Sequence, residues 1–316
     1  MTVINLRTMR ESSPPPFSVI CLGNFDGIHI GHQALLRAAK EKKAALSDKF
    51  PGIASGVCFF KIPPTDYSPT AKVPQLMTFE QKLSCFASLG VDFAFVTDFE
   101  TLRNATPESY VKDTLKGTFN CVFAVCGFNF RFGRQASGAA PDLIHFMNGA
   151  ATVVDSVCLY DKPVSSSEIR QAIAAGDAER TTALLGRPYC IEAEVLHGKA
   201  LGRTLGIPTV NQSFPERIAI PHHGIYITRT HIDGKTYPSV SNVGIRPSVN
   251  DGLKINCETH ILDFDREIYG LTVKVEFLSR LRDETRFDDL NALRTQIKSD
   301  INQTRAYYKE AFSYDT

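Results

Sequence analysis

The sequence carries almost no excess of charge of either sign. Among its 316 residues, 35 lysines and arginines stand against 34 aspartates and glutamates, which gives a formal net charge of +1. A chain this balanced has no overall field that would attract a polyanion, so we expect no nucleic-acid partner. Any phosphate group that it binds must be held by local groups.

Long apolar runs are also lacking. The amino-terminal segment does not have the charged-then-apolar layout of a signal peptide, and no later run approaches the roughly 20 apolar residues of a membrane span. The hydrophobic fraction of 43% is sufficient to fill a core in a chain of this length. We therefore expect a globular, cytoplasmic protein without a membrane partner. The sequence does not predict its oligomeric state.

The cysteines include no C-x-x-C pair. They are scattered singly, mostly within apolar runs. Zinc sites usually place two cysteines a few residues apart, and disulfide frameworks are typical of small secreted chains that are dense in cysteine. We expect reduced thiols in the core. The eight positions are Cys21, Cys58, Cys85, Cys121, Cys126, Cys158, Cys190 and Cys257.

Apolar strands alternate with helices through the first half of the chain. Thr78 and Gln81 form a capping box, and Thr106 precedes a proline at a first helical position, so two helix starts are explicit. This alternation predicts a doubly wound, mostly parallel sheet. The predicted strands are Phe17–Leu22, Ile53–Phe60, Val91–Val96, Cys121–Gly127 and Ala151–Tyr160, and the predicted helices are His32–Leu46, Thr78–Gly90, Pro107–Gly117 and Pro141–Asn148.

The segment GNFDGIHIGH follows the first predicted strand, at the sheet edge where ligands of such folds bind. Gly23, Gly27 and Gly31 allow a phosphate to approach the backbone closely, and the helix that follows offers free N–H groups. His29 and His32 add two side-chain donors. Donors aimed at a phosphorus that gains charge in the transition state favour nucleotidyl transfer. The alternatives are two structural histidines, or a metal pair that lacks a third ligand nearby.

The tetrad HIGH also occurs in class I aminoacyl-tRNA synthetases, but this chain lacks a K-M-S-K-S-like loop and a basic extension for tRNA. It has instead VSSSEIR, from Val164 to Arg170, at the start of a further helix. Its serines can cap that helix and contact phosphate, and Arg170 can bind phosphate through its planar fork. The alternative for the serines is a plain helix cap.

The second half changes to short strands without intervening helices. Asp233 and Gly234 between two of these strands are a hairpin signal. Together the strands predict a small antiparallel barrel, on which a final helix from about Asp288 to Phe312 can pack. We place the domain boundary between residues 185 and 186, so the two domains are residues 1–185 and 186–316.

A glycine-rich loop, HGKALGRTLGIPTVN, lies between the first strands of this half. Gly198 and Gly202 can wrap phosphates with backbone N–H groups, and Thr209 and Asn211 can point oxygen atoms to one side. Oxygen ligands together with substrate phosphates suit Mg²⁺. Glu258, on a later strand, could accept a hydroxyl proton during phosphoryl transfer. The alternatives are ordinary glycine turns and a solvated glutamate.

Seven motifs in this order resemble the bacterial bifunctional riboflavin kinase/FAD synthetase family, over nearly the whole chain. The resemblance implies an N-terminal nucleotidyltransferase domain of the HxGH type that adenylates FMN to FAD with ATP. It also implies a C-terminal β-barrel kinase that makes FMN from riboflavin and ATP. The motifs are GNFDGIHIGHQ, GFNFRFG, VSSSEIR, PTVN, SNVGIRPS, ETHILDFDREIYG and LRDETRF.

The resemblance also implies a role for each matching residue. In the first domain, His29 and His32 would bind the ATP phosphates. Asn24 would assist around the transferred group, and Asn129 would lie in the pocket for FMN and adenine. The residues that would hold the leaving pyrophosphate are Ser166, Ser167 and Arg170.

In the second domain, Thr209 and Asn211 would bind Mg²⁺ and ATP. Glu258 would activate the 5′-hydroxyl of riboflavin, and Arg282 belongs to the loop on the flavin side.

Three departures from the family pattern accompany these matches. The segment CFFKIPPTDY, from Cys58 to Tyr67, lacks the histidine of the family's Phe-x-Pro-His-Pro loop. Ser167 replaces a threonine and Val210 replaces an alanine. The alternatives are a kinase with an impaired adenylyltransferase domain and a flavin-binding protein without turnover.

Overall fold

The computed structural model describes residues 1–6, 13–62, 73–198, 202, 206–248 and 252–312. The chain divides into two compact units, Met1–Ser166 and Ser167–Thr316. Part of the altered loop Cys58–Tyr67 and most of the loop between Gly198 and Gly206 lie outside the described residues.

A parallel six-stranded sheet forms the centre of the first unit, in the order β1-β4-β3-β2-β5-β8. Two short antiparallel pairs, β6 with β7 and β9 with β10, lie outside it. The strands are β1 (Thr2–Asn5), β2 (Ser18–Leu22), β3 (Ala54–Phe60), β4 (Phe93–Thr97), β5 (Cys121–Gly127), β6 (Arg131–Phe132), β7 (Gly138–Ala139), β8 (Ala151–Val154), β9 (Cys158–Leu159) and β10 (Lys162–Pro163).

Helices connect these strands as the alternating pattern predicts. Apolar side chains of the sheet and helices form two separate clusters, as expected for a sheet covered on both faces. The helices are α1 (Ile30–Leu46), α2 (Phe79–Ser88), α3 (Phe99–Leu102), α4 (Pro107–Ser109, continued by a π-helix over Tyr110–Thr118) and α5 (Ala140–Phe146). The predicted doubly wound fold is confirmed.

Two details of the first unit differ from the sequence prediction. The edge strand β1 was not predicted, because a four-residue strand has no periodicity to detect. The predicted strand Ala151–Tyr160 is two elements, since β8 ends at Val154 and β9 pairs only with β10. Five of the cysteines predicted to be core thiols are buried: Cys21, Cys58, Cys121, Cys126 and Cys257.

The second unit is a nearly closed antiparallel barrel with helices beside it. Its strand order is β11-β16-β13-β14-β15-β12, and a bridge between Leu196 and Asn211 links the two ends. The predicted barrel is confirmed. The elements are α6 (Ser166–Ala175), α7 (Ala178–Leu185), β11 (Tyr189–Glu194), β12 (Val210–Ser213), β13 (Gly224–Ile232), β14 (Lys235–Ser248), β15 (Gly252–Ile261), β16 (Thr272–Arg282) and α8 (Leu290–Phe312).

The predicted hairpin and final helix are both present in this barrel. Asp233 (φ 48°) and Gly234 (φ 75°) form the two-residue turn between β13 and β14, and this backbone conformation matches the twist of the strands. On α8, Ile301 packs against the cluster of Ile225, Val240 and Leu262. Leu290, at the start of α8, is 56% exposed and does not join the packed face.

A buried carboxylate on β16 makes the barrel sensitive to acid. The Glu276 carboxylate lies 2.6 Å from Arg229 Nη2, 3.0 Å from His231 Nε2 and 2.7 Å from Lys274 Nζ. Burial by itself would raise the pKa of Glu276, but the interactions with these three side chains outweigh it and lower the pKa to about 2. The unfolded pKa is higher, so the group stabilises the fold above about pH 4.5. That stabilisation is lost as the pH falls toward 2.

We expect the Glu276→Gln variant to have a shallower acid limb in its stability profile than wild type. The shift corresponds to about 3 kcal/mol at most, so the free energy of unfolding should fall more steeply between pH 5 and 2 (about the two pKa values) in wild type than in the variant, which keeps other carboxylates of lowered pKa such as Asp92. Urea unfolding across this range measures it. The control is Asp263→Asn, because the exposed Asp263–Arg305 pair should contribute little. Equal acid limbs in wild type and Glu276→Gln would contradict the assignment.

Candidate active sites

The turn after β2 has a strained backbone in the interior of the first unit. Phe25 (φ 52°) and Ile28 (φ 42°) are in the left-handed region, and neither side chain is exposed. A β-branched residue in this region is an outlier that costs on the order of 1–3 kcal/mol. Gly27, with φ 81°, adopts the conformation that its lack of a side chain permits. Strain of this kind concentrates at functional sites.

The two predicted histidines lie side by side at the start of α1. The Nδ1 atom of His29 accepts the backbone N–H of His32 at 3.3 Å, so His29 caps the helix. The two rings stack with centroids 3.7 Å apart. Because Nδ1 accepts a bond, the proton of the neutral His29 ring is on Nε2. A Cβ on Gly31 would lie 3.1 Å from the His29 ring, so this glycine allows the ring to pack on the helix start.

The motif GFNFRFG leaves the sheet beside this turn. It begins at the end of β5, which is paired with β2 so that Leu22 lies opposite Cys126. The strand order reverses between β2 and β5, which is the position of the ligand crevice in open α/β sheets. Asn129 and Phe128 in this motif are exposed. The structure therefore brings Asn129 and the histidine turn to the same sheet edge.

The serine motif contacts the same turn through one of its residues. Ser166 Oγ donates to the carbonyl oxygen of Asp26 at 2.9 Å. Ser167 and Arg170 follow on α6, in the second compact unit, and their phosphate-binding roles stay predictions. Asn24 is exposed at the tip of the turn.

In the barrel, three predicted or matching polar residues align across neighbouring strands. Glu258 on β15 lies opposite Asn211 on β12 and opposite Asn242 on β14. Paired residues of antiparallel strands point to the same face, so these side chains share one face of the sheet. Asn256, two residues from Glu258, donates to Asn211 Oδ1 at 3.3 Å. The register thus assembles a carboxylate and three amides.

Two described glycines of the glycine-rich segment, Gly198 and Gly202, lie close to this polar row and to the residues that precede it. A Cβ on Gly198 would overlap the side-chain amide of Asn211, and a Cβ on Gly202 would overlap the carbonyl oxygen of Ile207. The same Cβ on Gly202 would lie 3.4 Å from Thr209 Oγ1. The backbone therefore approaches the Asn211 side chain at Gly198, and the Ile207 carbonyl at Gly202, more closely than any other residue type would allow.

A cavity of about 420 Å³ is lined in part by Thr209. Its apolar walls come from β12 and from the segment between β15 and β16, and charged side chains of that segment also line it. Residues that line it are Pro208, Thr209, Phe264, Arg266, Ile268 and Tyr269. A concave apolar site with a few polar groups is typical of small-molecule binding.

Comparisons with known proteins match each unit to an enzyme domain. A family described as FAD synthetase matches residues 12–168, and one described as riboflavin kinase matches residues 185–308. The bifunctional riboflavin kinase/FMN adenylyltransferase of Bacillus subtilis (strain 168) is 32% identical over 298 residues, which cover 92% of each chain. The chain belongs to this family. The enzyme of the same description from Pseudomonas fluorescens is 35% identical over 292 residues, covering 91% of this chain and 92% of its own.

Both domains of the bifunctional family are present, so the predicted family and the predicted pair of enzymatic domains are confirmed. These matches do not favour the kinase-only alternative. A solved structure described as a macrolide-efflux protein from Streptococcus pneumoniae is 32% identical, with a TM-score of 0.87, and the match covers 96% of this chain and 99% of that one. Among the described residues, no helix could cross a membrane.

The prediction missed several polar residues of both domains. In the kinase domain they are Asn242, Asn256 and Glu284. Asn242 Oδ1 is buried without a hydrogen-bond partner among the described residues, and the Glu284 carboxylate lies where a Cβ on Gly244 would be. In the adenylyltransferase domain the missed residue is Lys82, whose Nζ donates to Asn24 O at 3.0 Å. The motifs SNVGIRPS and LRDETRF contain Asn242 and Glu284, so these two residues carried a sequence signal, whereas Asn256 and Lys82 lie outside the quoted motifs.

Arg282 of the kinase domain has a structural partner. Its Nε and Nη2 atoms donate to the two carboxylate oxygens of Asp300, at 3.0 and 2.7 Å. Asp300 is 2% exposed and belongs to α8. This two-bond contact joins β16 to α8, and the predicted contact between Arg282 and the flavin stays a prediction.

Proposed function

We propose that this chain carries out two consecutive steps of flavin cofactor synthesis. The kinase domain transfers the γ-phosphoryl group of ATP to riboflavin and forms FMN, and the adenylyltransferase domain transfers AMP from a second ATP to FMN and forms FAD. The observation that carries the proposal is that each unit places polar side chains suited to phosphate chemistry beside glycines. These side chains are the stacked histidines in one unit and the Asn211–Glu258–Asn242 row in the other. The balanced charge supports small-molecule substrates in the cytoplasm, without nucleic-acid or membrane partners.

We place the functional boundary between residues 185 and 186. The FAD synthetase match ends at residue 168, and the riboflavin kinase match begins at residue 185. The compact second unit begins at Ser167 and so includes α7 and nearly all of α6. Since Ser167 and Arg170 lie on α6, we assign this helix by function to the adenylyltransferase.

In the adenylyltransferase reaction, a phosphate oxygen of FMN attacks the α-phosphorus of ATP, and the bond to pyrophosphate breaks. We assign His29, His32 and Asn24 to the phosphates of ATP and Asn129 to the FMN and adenine pocket. The groups assigned to the leaving pyrophosphate are Ser166, Ser167 and Arg170. Preorganised donors favour this reaction because negative charge accumulates on the leaving oxygen. The helix start and the fixed His29 ring supply such donors at a carboxyl-terminal sheet edge.

In the kinase reaction, Glu258 accepts the proton of the riboflavin 5′-hydroxyl while that oxygen attacks the γ-phosphorus. The in-line geometry depends on a fixed position of both reactants, and we assign the backbone at Gly198 and Gly202 to the ATP phosphates. The cavity beside Thr209 would receive the base of ATP, because it is apolar and adjoins the phosphate loop.

The residues present fit a magnesium ion. Thr209 offers a hydroxyl oxygen and Asn211 an amide oxygen, and Mg²⁺ prefers oxygen ligands with substrate phosphates completing the set. Asn256 fixes the Asn211 side chain by donating to its oxygen. When bound, the ion would neutralise charge on the transferring phosphoryl group.

We expect the Gly198→Ala variant to lose kinase activity selectively. The added Cβ would overlap the Asn211 amide, and a displacement of about 1 Å in a positioning group can lower a rate by up to about 100-fold. The rate of FMN formation should fall about 10- to 100-fold (from the same displacement cost), while FAD formation from supplied FMN stays unchanged. Ser213→Ala is the control, because Ser213 is an exposed residue on β12 of the same barrel. Equal kinase rates for Gly198→Ala and wild type would contradict the loop assignment.

A chromatographic time course tests the function as a whole. The full chain is incubated with riboflavin, ATP and Mg²⁺, and FMN and FAD are followed separately, with a parallel reaction that starts from FMN. We expect FMN to rise and then to convert to FAD, and both steps to stop when a chelator removes Mg²⁺. Accumulation of FMN without FAD from either start would support the kinase-only alternative. Flavin binding without any product would overturn the proposal.

A further inference from the structure

Lys82 is a buried lysine beneath the histidine turn. It lies on α2, whose first turn is fixed by the capping box of Thr78 and Gln81, and only 7% of the residue is exposed. Lysines are almost never buried to this extent without a partner, because the charged ammonium loses its hydration. Its partners therefore indicate its purpose.

Among the described residues, the Lys82 ammonium interacts with the turn and with the strand beside it. Nζ donates to the carbonyl oxygen of Asn24 at 3.0 Å and lies 5.1 Å from the centre of the Phe59 ring on β3. Asp26, in the same turn, acts on it electrostatically. The Asp26 carboxylate is itself fixed, because Oδ1 accepts the backbone N–H of Leu76 at 2.9 Å.

The turn is thus held at two residues, Asn24 and Asp26, by groups from distant parts of the chain. Lys82 binds the carbonyl of Asn24, the Leu76 N–H binds the side chain of Asp26, and Ser166 binds the carbonyl of Asp26. This is a backbone that Phe25 and Ile28 would not adopt without support, since both are in the left-handed region. His29 follows directly, so the position of its ring depends on this turn.

We propose that Lys82 is a positioning residue of the adenylyltransferase reaction, which holds the strained turn and places a positive charge behind the ATP phosphates. The inference rests on the proposed function of the first domain. A cation in a site shielded from water acts on phosphate charge more strongly than a surface lysine would. Its bond to the Asn24 carbonyl fixes the backbone from which Asn24 and the histidines reach the substrate.

A pH profile separates this role from plain packing. Burial lowers the pKa of Lys82 to about 8, although Asp26 opposes the shift. Asp26 is the charged group that acts on Lys82 from the turn, and β3 contributes the uncharged Phe59 ring. Histidines titrate near pH 6.5 (about the value for free side chains), and phosphate monoesters lose their second proton near pH 6 (roughly). A fall in FAD formation above about pH 8 would therefore report the loss of the Lys82 charge.

The test compares Lys82→Met, Lys82→Arg and wild type in steady-state FAD formation from FMN and ATP. We expect Lys82→Met to lower kcat/KM for ATP about 10- to 100-fold, the usual range for a lost charge-assisted hydrogen bond. Lys82→Arg should recover most of this loss, and its rate should not fall above pH 8 (about the Lys82 pKa), because arginine keeps its charge there. Kinase activity of the same preparations should remain at the wild-type value.

The outcomes separate this inference from the proposed function. A wild-type chain that forms no FAD from FMN would overturn the function of the domain. If wild type forms FAD, the inference about Lys82 alone is overturned by either of two results. One is a rate of FAD formation by Lys82→Met that lies within about twofold of wild type, a change too small for a lost charge-assisted bond. The other is a fall in the rate of FAD formation above about pH 8 (the Lys82 pKa) that persists in Lys82→Arg. The wild-type profile needs no substitution: a rate of FAD formation that does not change between pH 7 and 9.5 (about 1 unit below to about 1.5 units above the Lys82 pKa) would also overturn the inference.

Discussion

Replacing His29 with asparagine should lower the rate of FAD formation from FMN by about 10²- to 10³-fold, the range for removal of one transition-state donor. Asparagine is chosen because it can cap α1 as His29 does, so the helix start is retained while the ring donor is lost. FMN formation from riboflavin should continue at the wild-type rate. Steady-state assays of both steps on one preparation measure the effect.

The control for this variant is His145→Asn. His145 is an exposed histidine on α5 of the same unit, and we expect both activities to be unchanged. Comparison with His29→Ala, which also removes the cap, separates the contribution of the ring from that of the helix start. Loss of both activities in a folded His29→Asn protein would contradict the division of labour between the domains.

The second large effect is expected at the kinase site. Glu258→Gln should lower FMN formation by about 10²- to 10⁴-fold, the usual contribution of a general base. Glutamine has nearly the same shape and can keep the alignment with Asn211 and Asn242, so the lost group is the proton acceptor. FAD formation should remain at the wild-type rate when FMN is supplied, and should be absent when the reaction starts from riboflavin.

Glu192→Gln provides the matched control for this variant. Glu192 is an exposed glutamate on β11 of the same barrel, and its replacement should leave the kinase rate unchanged. A Glu258→Gln protein that forms FMN at a rate within tenfold of wild type (below the usual range for a general base) would exclude Glu258 as the base. The two active-site variants together, His29→Asn and Glu258→Gln, should form FAD from riboflavin when mixed, because each supplies the step that the other lacks.

The fold was predictable in outline because its signals are local. The alternation of apolar strands with capped helices predicted the parallel sheet, and the turn at Asp233 and Gly234 predicted the hairpin between β13 and β14. The short edge strand β1 and the division between β8 and β9 were not predicted. Both depend on which neighbouring strand accepts the backbone bonds, and periodicity within a segment does not encode that choice.

The candidate sites were predictable where a motif is contiguous and not where partners come from distant segments. His29 and His32 stack because they lie three positions apart at one helix start. Lys82 lies 58 residues from Asn24, and its helix shows only that a lysine occurs among apolar residues. Similarly, the contact of Glu284 with Gly244 requires the register of β14 and the course of the chain after β16.

Arg282 illustrates the same difference. Its motif predicts a flavin contact, which stays a prediction, and the structure adds that its guanidinium binds Asp300 of α8. A charged side chain near a site can bind substrate or support the fold, and only the position of the opposite charge distinguishes the two.

The sequence by itself determined the order of the elements, the two glycine-rich turns and the chemical types of the groups in each site. These properties follow from backbone preferences and side-chain chemistry within a few neighbouring residues. Only the tertiary structure decided which groups meet: Lys82 beneath Asn24, Glu258 between Asn211 and Asn242, and Arg282 against Asp300. The physical reason is that strand register and helix packing are set by burial across the whole domain. A shift of one residue along a strand would turn Glu258 or Arg282 to the opposite face of the sheet.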